Sequence, residues 1–324
     1  MPQFPLLDSN AYFRRLAEAS LPDRSPYFAF YSSLVDGIVT DPALMSVPID
    51  DHLVHRGDGV FETAKFVDCG IYNLAAHLDR LFDSAAQIDL QPPFSRAEIQ
   101  ERILETCRIA NRDTGAIRIL LSRGTGGMGV NPYECPTSHL YILVYRLGGS
   151  FMDLHPEGAT ACTSRYSVKF DFLARVKSCN YLLNALMRKE AADRGVDFVF
   201  SFDEQDHLAE GPTESVGLLT SDGVLRVPAP DRILPGTTMD RVLELAEALR
   251  GKGLIAGIER APIERDDLSA ARELMIFGTT TDVTAVVRHD DQPIGDGNPG
   301  PIALALRELL LNDILQTPAM RTCF

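Results

Sequence analysis

Lys177 is the residue whose type and setting support chemistry best in this sequence. It follows Ala174-Arg175-Val176, which reads as extended chain, and precedes a helical run that starts around Asn180. A lysine at that junction feels the positive end of the helix dipole. If it is also removed from water, its pKa falls and the neutral amine becomes a usable nucleophile. A solvated surface lysine is the ordinary alternative, so the company Lys177 keeps decides between the two. Other catalytic patterns lack their context. GDGNPG at 295–300 has the dinucleotide-binding spacing, but that fingerprint needs a helix, a second strand and an acidic residue about 20 positions on. Only the helical run PIALALRELLLNDIL follows it, and Pro301 at a first helical position explains the same residues as a turn into a helix. SRGTGGMG at 122–129 lacks the Lys-Ser/Thr ending of a phosphate loop and reads as a surface or lid loop. The seven histidines form no HxH or HxxxH pair, so no metal site is expected, and no GxSxG elbow is present for a serine hydrolase.

Strands and helices must hold such a lysine in place. AYFRRLAEASL, behind Asp8, Ser9 and Asn10, reads as a short capped helix. YFAFYSSLV, a turn at Asp36-Gly37 and IVT form a hairpin, and VFETAKFVDCGIYNL repeats this with a turn near Asp68 and Gly70. AAHLDRLFDSAAQIDL then changes to helical spacing, with Leu78, Leu81, Phe82 and Ala85 on one face. A second helix starts at the capping sequence Ser95-x-x-Glu98, and the strands AIRILLSR and LYILVYRL close a first unit, residues 1–146. Residues 147–158 carry three glycines and a proline and read as the interdomain linker. The second unit, 159–324, starts with a helix ending at Gly195, the strand DFVFSFD and a strand carrying Glu210. GLLTSDGVLRV then forms a hairpin turned at Asp222-Gly223, and helix, strand and helix follow. Strands grouped between helices and joined by tight turns indicate an α+β fold rather than a doubly wound parallel sheet.

Composition agrees with a folded two-domain protein: 324 residues, 45% apolar and 23% charged. Lys and Arg number 31 against 45 Asp and Glu, a net charge of −14, which would repel a nucleic-acid backbone. No apolar run is long enough to span a membrane, and no signal-peptide pattern opens the sequence. Six scattered cysteines, at 69, 107, 135, 162, 179 and 323, suit neither a disulfide framework nor zinc; a cytoplasmic location is the expectation.

KSCNYLLNALMRKEA at 177–191, AEGPTES at 209–215, ILPGTTMDRV at 233–242 and FGTTTDV at 277–283, with HRGDGVFETAKF at 55–66 and HLDRLFDSA at 77–85 upstream, resemble the fold-type IV pyridoxal-phosphate enzymes in order and approximate spacing. That family holds D-amino-acid transaminases, branched-chain aminotransferases, aminodeoxychorismate lyases and (R)-amine transaminases, and the resemblance runs from about residue 27 to 315. It implies pyridoxal 5'-phosphate as cofactor, with Lys177 as its Schiff-base lysine and as the acid/base that moves the proton between Cα and C4′. Glu210 would pair with the pyridine nitrogen and keep the ring an electron sink, and Tyr181 would bond the phenolate oxygen. Arg80, the backbone N–H of Thr237, the side chain of Thr238 and Thr279 would hold the phosphate, Gly236 opening a helix whose bare amides favour an anion. Leu234 would pack on a ring face. The resemblance also implies a small N-terminal α/β sandwich domain, a larger C-terminal domain with a β-barrel-like sheet, and a homodimer with the cofactor between domains.

Substrate choice is less direct. The Arg-x-His carboxylate trap of bacterial D-amino-acid transaminases is absent after SRG, and branched-chain enzymes place a tyrosine where Arg56 stands. The block from Tyr31 to Ala64 and the segment DDQPIGDGNPGPIALAL are similar to plant-type D-amino-acid transaminases, which makes Arg56 the candidate carboxylate clamp, a salt bridge being its alternative. The expected reaction is ping-pong transfer from a D-amino acid such as D-alanine to a 2-oxo acid such as 2-oxoglutarate. A branched-chain L-amino-acid aminotransferase, an aminodeoxychorismate lyase, an (R)-amine transaminase and, more remotely, a non-catalytic binding protein are the alternatives.

Overall fold

The computed structural model describes residues 4–19 and 24–324; the expected first helix runs past Ala19, so its end at Ser20 and Leu21 lies outside the described residues. Its described part, α1 (Ser9–Glu18), starts where Asp8 accepts from the amide of Ala11.

Seven strands form the first sheet: β1 (Tyr27–Ser32), β2 (Gly37–Val39), β3 (Gly59–Val67), β4 (Gly70–Tyr72), β5 (Gly115–Ser122), β6 (His139–Tyr145) and the chain's last strand, β15 (Arg321–Cys323). Their order is β15-β4-β3-β5-β6-β1-β2, and every neighbouring pair is antiparallel. A five-residue helix, α2 (His52–Arg56), leads into β3 and ends at Gly57, whose φ of 66° is the left-handed conformation glycine adopts freely. Helices α3 (Leu74–Gln87) and α4 (Arg96–Ala110) cover one face. Leu74, Leu78, Leu81 and Ala85 from α3 and Ile99, Ile103 and Cys107 from α4 are buried in the same core as Ile117, Ile119, Leu121 and Ile142 of the central strands. The periodicity expected of these helices is therefore what packs them, and the Ser95–Glu98 capping box is formed.

A short helix, α5 (Phe151–Leu154), lies within the segment read as linker. The second sheet contains β7 (Ala159–Thr163), β8 (Phe198–Phe200), β9 (Ser215–Leu219), β10 (Val224–Val227), β11 (Gly257–Arg260), β12 (Glu273–Gly278) and β13 (Asp282–His289), in the order β11-β10-β9-β12-β13-β7-β8, with β14 (Gln292–Pro293) pairing with β13. Its centre is antiparallel, while β10–β11, β13–β7 and β7–β8 are parallel. Helices α6 (Leu182–Arg194), α7 (Thr237–Gly251), α8 (Arg265–Ala270) and α9 (Pro301–Gln316) complete the chain. Met239, Val242 and Ala246 of α7 and Leu306 and Leu310 of α9 share a core with Met275, Phe277 and Val283 of the sheet.

Three local readings differ from the sequence expectation. The residues before Lys177 form a 3-10 helix, Asp171–Arg175, rather than a strand. The helix after it begins at Leu182, not near Asn180. Glu210 sits on an isolated bridge to Ser215, its carbonyl accepting from Ser201, and not within a strand.

Candidate active site

β4 is only three residues long and covers only the far end of β3, so the hydrogen-bonding edge at Gly59–Phe61 needs another partner. The segment carrying Lys177 supplies it: Phe61 N donates to Lys177 O at 2.9 Å, Cys179 N to Gly59 O at 2.8 Å, and Val60 bridges Ser178. Lys177 N donates to Ser84 Oγ of α3 at 3.2 Å. These bonds fix the lysine backbone in the crevice between the two sheets.

Its side chain lines a cavity of about 350 Å³ together with Arg80, Tyr181, Glu210, Leu234, Thr237, Thr238 and Thr279. Eight residues expected to hold one cofactor are thus brought together from α3, the segment leading into α6, the β8–β9 connection, the start of α7 and the β12–β13 turn. Arg56 is not brought there. Its guanidinium is exposed and donates to the carbonyls of Gly129 at 3.0 Å, His55 at 2.8 Å and Met128, clamping the loop after β5.

Lys177 is buried and its pKa is pushed down to about 7, first by burial and then by Arg80, with Arg118 acting in the same direction. The helix start invoked from the sequence, at Leu182, is five residues away and is not needed. Nζ lies 3.4 Å from Tyr181 Oη and 4.7 Å from the Phe61 ring centroid. Tyr181 meets the Phe61 ring edge-on at 4.9 Å, and burial raises its phenol pKa. Across the cavity, burial pushes the Glu210 pKa up, while Leu234 N–H, donating to Oε2 at 3.1 Å, opposes the rise.

Arg80 is held by Glu62, a fully buried carboxylate of β3. Nε and Nη2 of the arginine donate to its two oxygens at 2.6 and 2.9 Å, and His77 Nδ1 lies 2.7 Å from Oε2. Burial alone would raise the Glu62 pKa, but Arg80 and His77 outweigh it and hold the carboxyl well below the usual range. Nη1 donates to Pro235 O at 2.7 Å, leaving two guanidinium N–H groups for a ligand. They are joined by the N-terminus of α7, where Gly236 is the N-cap. A Cβ on Gly236 would come within 2.3 Å of Ser215 Oγ, so a larger residue there would force the Ser215 hydroxyl aside where the helix meets β9. A bidentate cation and bare helix amides at one end of a cavity make an anion site.

Arg118, Thr281 and Glu62 were not singled out from the sequence. Arg118, on β5, lines the cavity with its guanidinium 4.8 Å from the Phe61 ring centroid. An arginine inside the apolar run AIRILL was the available signal. Thr281 Oγ1, also at the cavity wall, is buried without a hydrogen-bond partner. No cluster of potential metal ligands occurs among the described residues.

A family model described as amino-transferase class IV matches residues 59–288. The chain is 37% identical over 293 residues to the D-amino-acid transaminase, chloroplastic, of Arabidopsis thaliana, covering 90% of this chain and 78% of that protein. It is 31% identical over 278 residues to a putative branched-chain-amino-acid aminotransferase of Methanocaldococcus jannaschii, covering 85% of this chain and 93% of that protein. The solved structure of the T.th. branched-chain amino acid aminotransferase with pyridoxamine 5'-phosphate superposes with a TM-score of 0.84 at 27% identity, over 92% of this chain and 98% of that one. Matched by the family model over most of its length and by relatives over nearly all of it, the chain belongs to the class IV aminotransferases.

Proposed function

We propose that this protein is a pyridoxal-phosphate-dependent transaminase that moves the amino group of a D-amino acid such as D-alanine to a 2-oxo acid such as 2-oxoglutarate, leaving pyruvate and D-glutamate. The observation that carries the chemistry is the buried Lys177 amine, with a pKa near 7, in one cavity with Glu210 and an anion site. In this reading the two remaining Arg80 N–H groups, the backbone N–H of Thr237, the side chain of Thr238 and Thr279 would hold the phosphate. Glu210 takes the ring nitrogen, Tyr181 the phenolate oxygen, and Leu234 a ring face. The orphaned Thr281 hydroxyl supports a ligand at this wall.

Bound there, the cofactor supplies the electron sink for the bond broken at the substrate Cα. The chain's own residues hold and move the proton. A lysine titrating near neutral pH can accept a proton from Cα and return it to a neighbouring carbon without a large driving-force penalty. Tyr181 Oη, in reach of Nζ, orients the amine. Glu210, buried and with its pKa raised, would hold a protonated ring nitrogen there and gain the partner its burial demands. Arg118, which lines the cavity, would hold a substrate carboxylate in this reading, in place of the more distant Arg56.

D-specificity rests on the similarity to the Arabidopsis protein, which exceeds that to the branched-chain relatives. The second reading, a branched-chain L-amino-acid aminotransferase, is favoured by those relatives and by the solved structure above. The proposal includes a homodimer. Exposed Ile49, Val54, Met128, Val130 and Tyr133, on segments joined by the Gly126–Asp50 and Arg56 hydrogen bonds, supply apolar surface for it. Steady-state turnover of the cofactor-loaded protein with 2-oxoglutarate separates the readings: kcat/KM for D-alanine should exceed that for L-leucine by at least about a hundredfold. Turnover of L-leucine with D-alanine inert would establish the branched-chain reading instead.

A further inference from the structure

Tyr181 lines the site just described, and its chain neighbour Asn180 lines a second cavity. That second cavity, of about 320 Å³, is lined among others by Gly57, Gly59, Ser178, Asn180 and Lys169. Lys169 belongs to the stretch between β7 and the 3-10 helix, and that stretch is pinned: Ser164 N donates to Phe200 O at 2.8 Å and Val168 N to Phe202 O at 3.2 Å. From there Lys169 reaches back so that Nζ lies 4.7 Å from the centroid of the Tyr181 ring. Among the described residues Nζ forms no ion pair, although Glu210 contributes a favourable field and burial an unfavourable one. A lysine with a solubility role keeps its ammonium in water; this one places it over an aromatic face. The phenol is thus gripped from three sides, by the Phe61 edge, the Lys177 amine at its hydroxyl and the Lys169 ammonium on its ring.

We propose that Lys169 is a positioning residue for the reaction, acting through Tyr181: its ammonium draws on the ring's π density, strengthens the hydroxyl as a hydrogen-bond donor and fixes the ring against Lys177. The inference rests on the reading that Tyr181 bonds the cofactor's phenolate oxygen. A cation over the ring makes the O–H bond more polar, and it does so in a site where low local dielectric enlarges the effect. Because Lys169 lines the second cavity and not the one that holds Lys177, it does this without occupying substrate space.

The test uses the full chain loaded with pyridoxal 5'-phosphate and compares Lys169→Met and Lys169→Arg in the wild-type and Tyr181→Phe backgrounds. Tyr181→Phe keeps the ring and removes the hydroxyl. Three readouts are taken: the absorbance maximum of the bound cofactor, its dissociation constant by titration, and kcat/KM for the amino donor. Lys169→Met should shift the absorbance and cost about tenfold in cofactor affinity and in kcat/KM, and Lys169→Arg should recover most of the loss. In the Tyr181→Phe background Lys169→Met should add nothing. A Lys169→Met protein identical to wild type in absorbance and affinity overturns the inference. So does a full-sized loss that persists without the Tyr181 hydroxyl, which would place Lys169 on the substrate or on the fold of its own segment. A wild-type protein that shows no lysine-bound cofactor absorbance would overturn the functional reading itself, which separates the two failures.

Discussion

A lysine amine that titrates near 7 is about half neutral at neutral pH, whereas an exposed lysine stays protonated until about pH 10. The shift is downward, so the reactive neutral form is present above pH 7 and lost below it. Capture of pyridoxal 5'-phosphate by the cofactor-free protein, followed by absorbance, should therefore quicken with pH around a midpoint close to 7. A rate that rises only above about pH 9 would show that Lys177 is not held as described. The lysine itself was legible in the sequence because motif strings flank it, but the cause of its reactivity was not. The sequence suggested a helix end, while burial and Arg80, 97 positions earlier in the chain, are what lower its pKa. Arg56 shows the reverse. Its residue type suited a carboxylate, yet it stands outside the cavity that holds Lys177, with three of its N–H groups on the carbonyls at 55, 128 and 129. Arg118 takes up a place in the cavity that no local pattern on β5 announced beyond its apolar neighbours Ile117 and Ile119.

At the scale of elements, β3 and α3 form the rigid side of the site because Glu62 of one grips Arg80 and His77 of the other. Replacing Glu62 by Gln leaves the Arg80 charge without its carboxylate in a buried setting, and should destabilise the protein by about 3–5 kcal/mol in urea unfolding and weaken cofactor binding. The sign of the pH dependence is set by the depressed Glu62 pKa. Its contribution is complete above the unfolded value of about 4.3 and is lost as pH falls below it. His77, whose own pKa burial lowers, adds a loss that begins as pH falls below about 6.5. The wild-type protein should thus lose stability toward acid more steeply than Glu62→Gln; parallel curves would mean that the carboxylate carries no such linkage. The elements themselves were largely readable. Ser95–Glu98 forms its capping box, and the turns at Asp36-Gly37 and Asp222-Gly223 close hairpins. What escaped was short: five residues of 3-10 helix at Asp171–Arg175 give too few positions for a period to show, and Glu210 is fixed by one bridge rather than a ladder.

Two buried contacts tie the sheets together across the whole molecule. Lys65 of β3 pairs with Asp282 at the start of β13, both almost fully buried. Asp313 of α9 accepts from Tyr72 of β4 at 2.5 Å and from Arg241 of α7 at 2.6 and 2.9 Å. Lys65→Met leaves Asp282 buried without its partner, next to the Thr279–Thr281 turn that borders the anion site. A loss of about 3–5 kcal/mol and weaker cofactor binding should follow, checked by urea unfolding and by titration; an unchanged midpoint would show the sheets joined by other means. This level of organisation was the least legible in the sequence. The strand Arg321–Cys323 returns to the first sheet, and nothing in three residues signals a partner some 250 positions away. The site's place between the sheets is the consequence of that whole arrangement, and its central claim is the reaction performed there. The most direct measurement is the visible spectrum of the pyridoxal-phosphate-loaded protein before and after D-alanine, with L-leucine in a parallel cuvette and no 2-oxo acid in either. The account expects D-alanine alone to convert the lysine-bound band to the pyridoxamine form. Conversion by L-leucine alone, or no change with D-alanine, would contradict it.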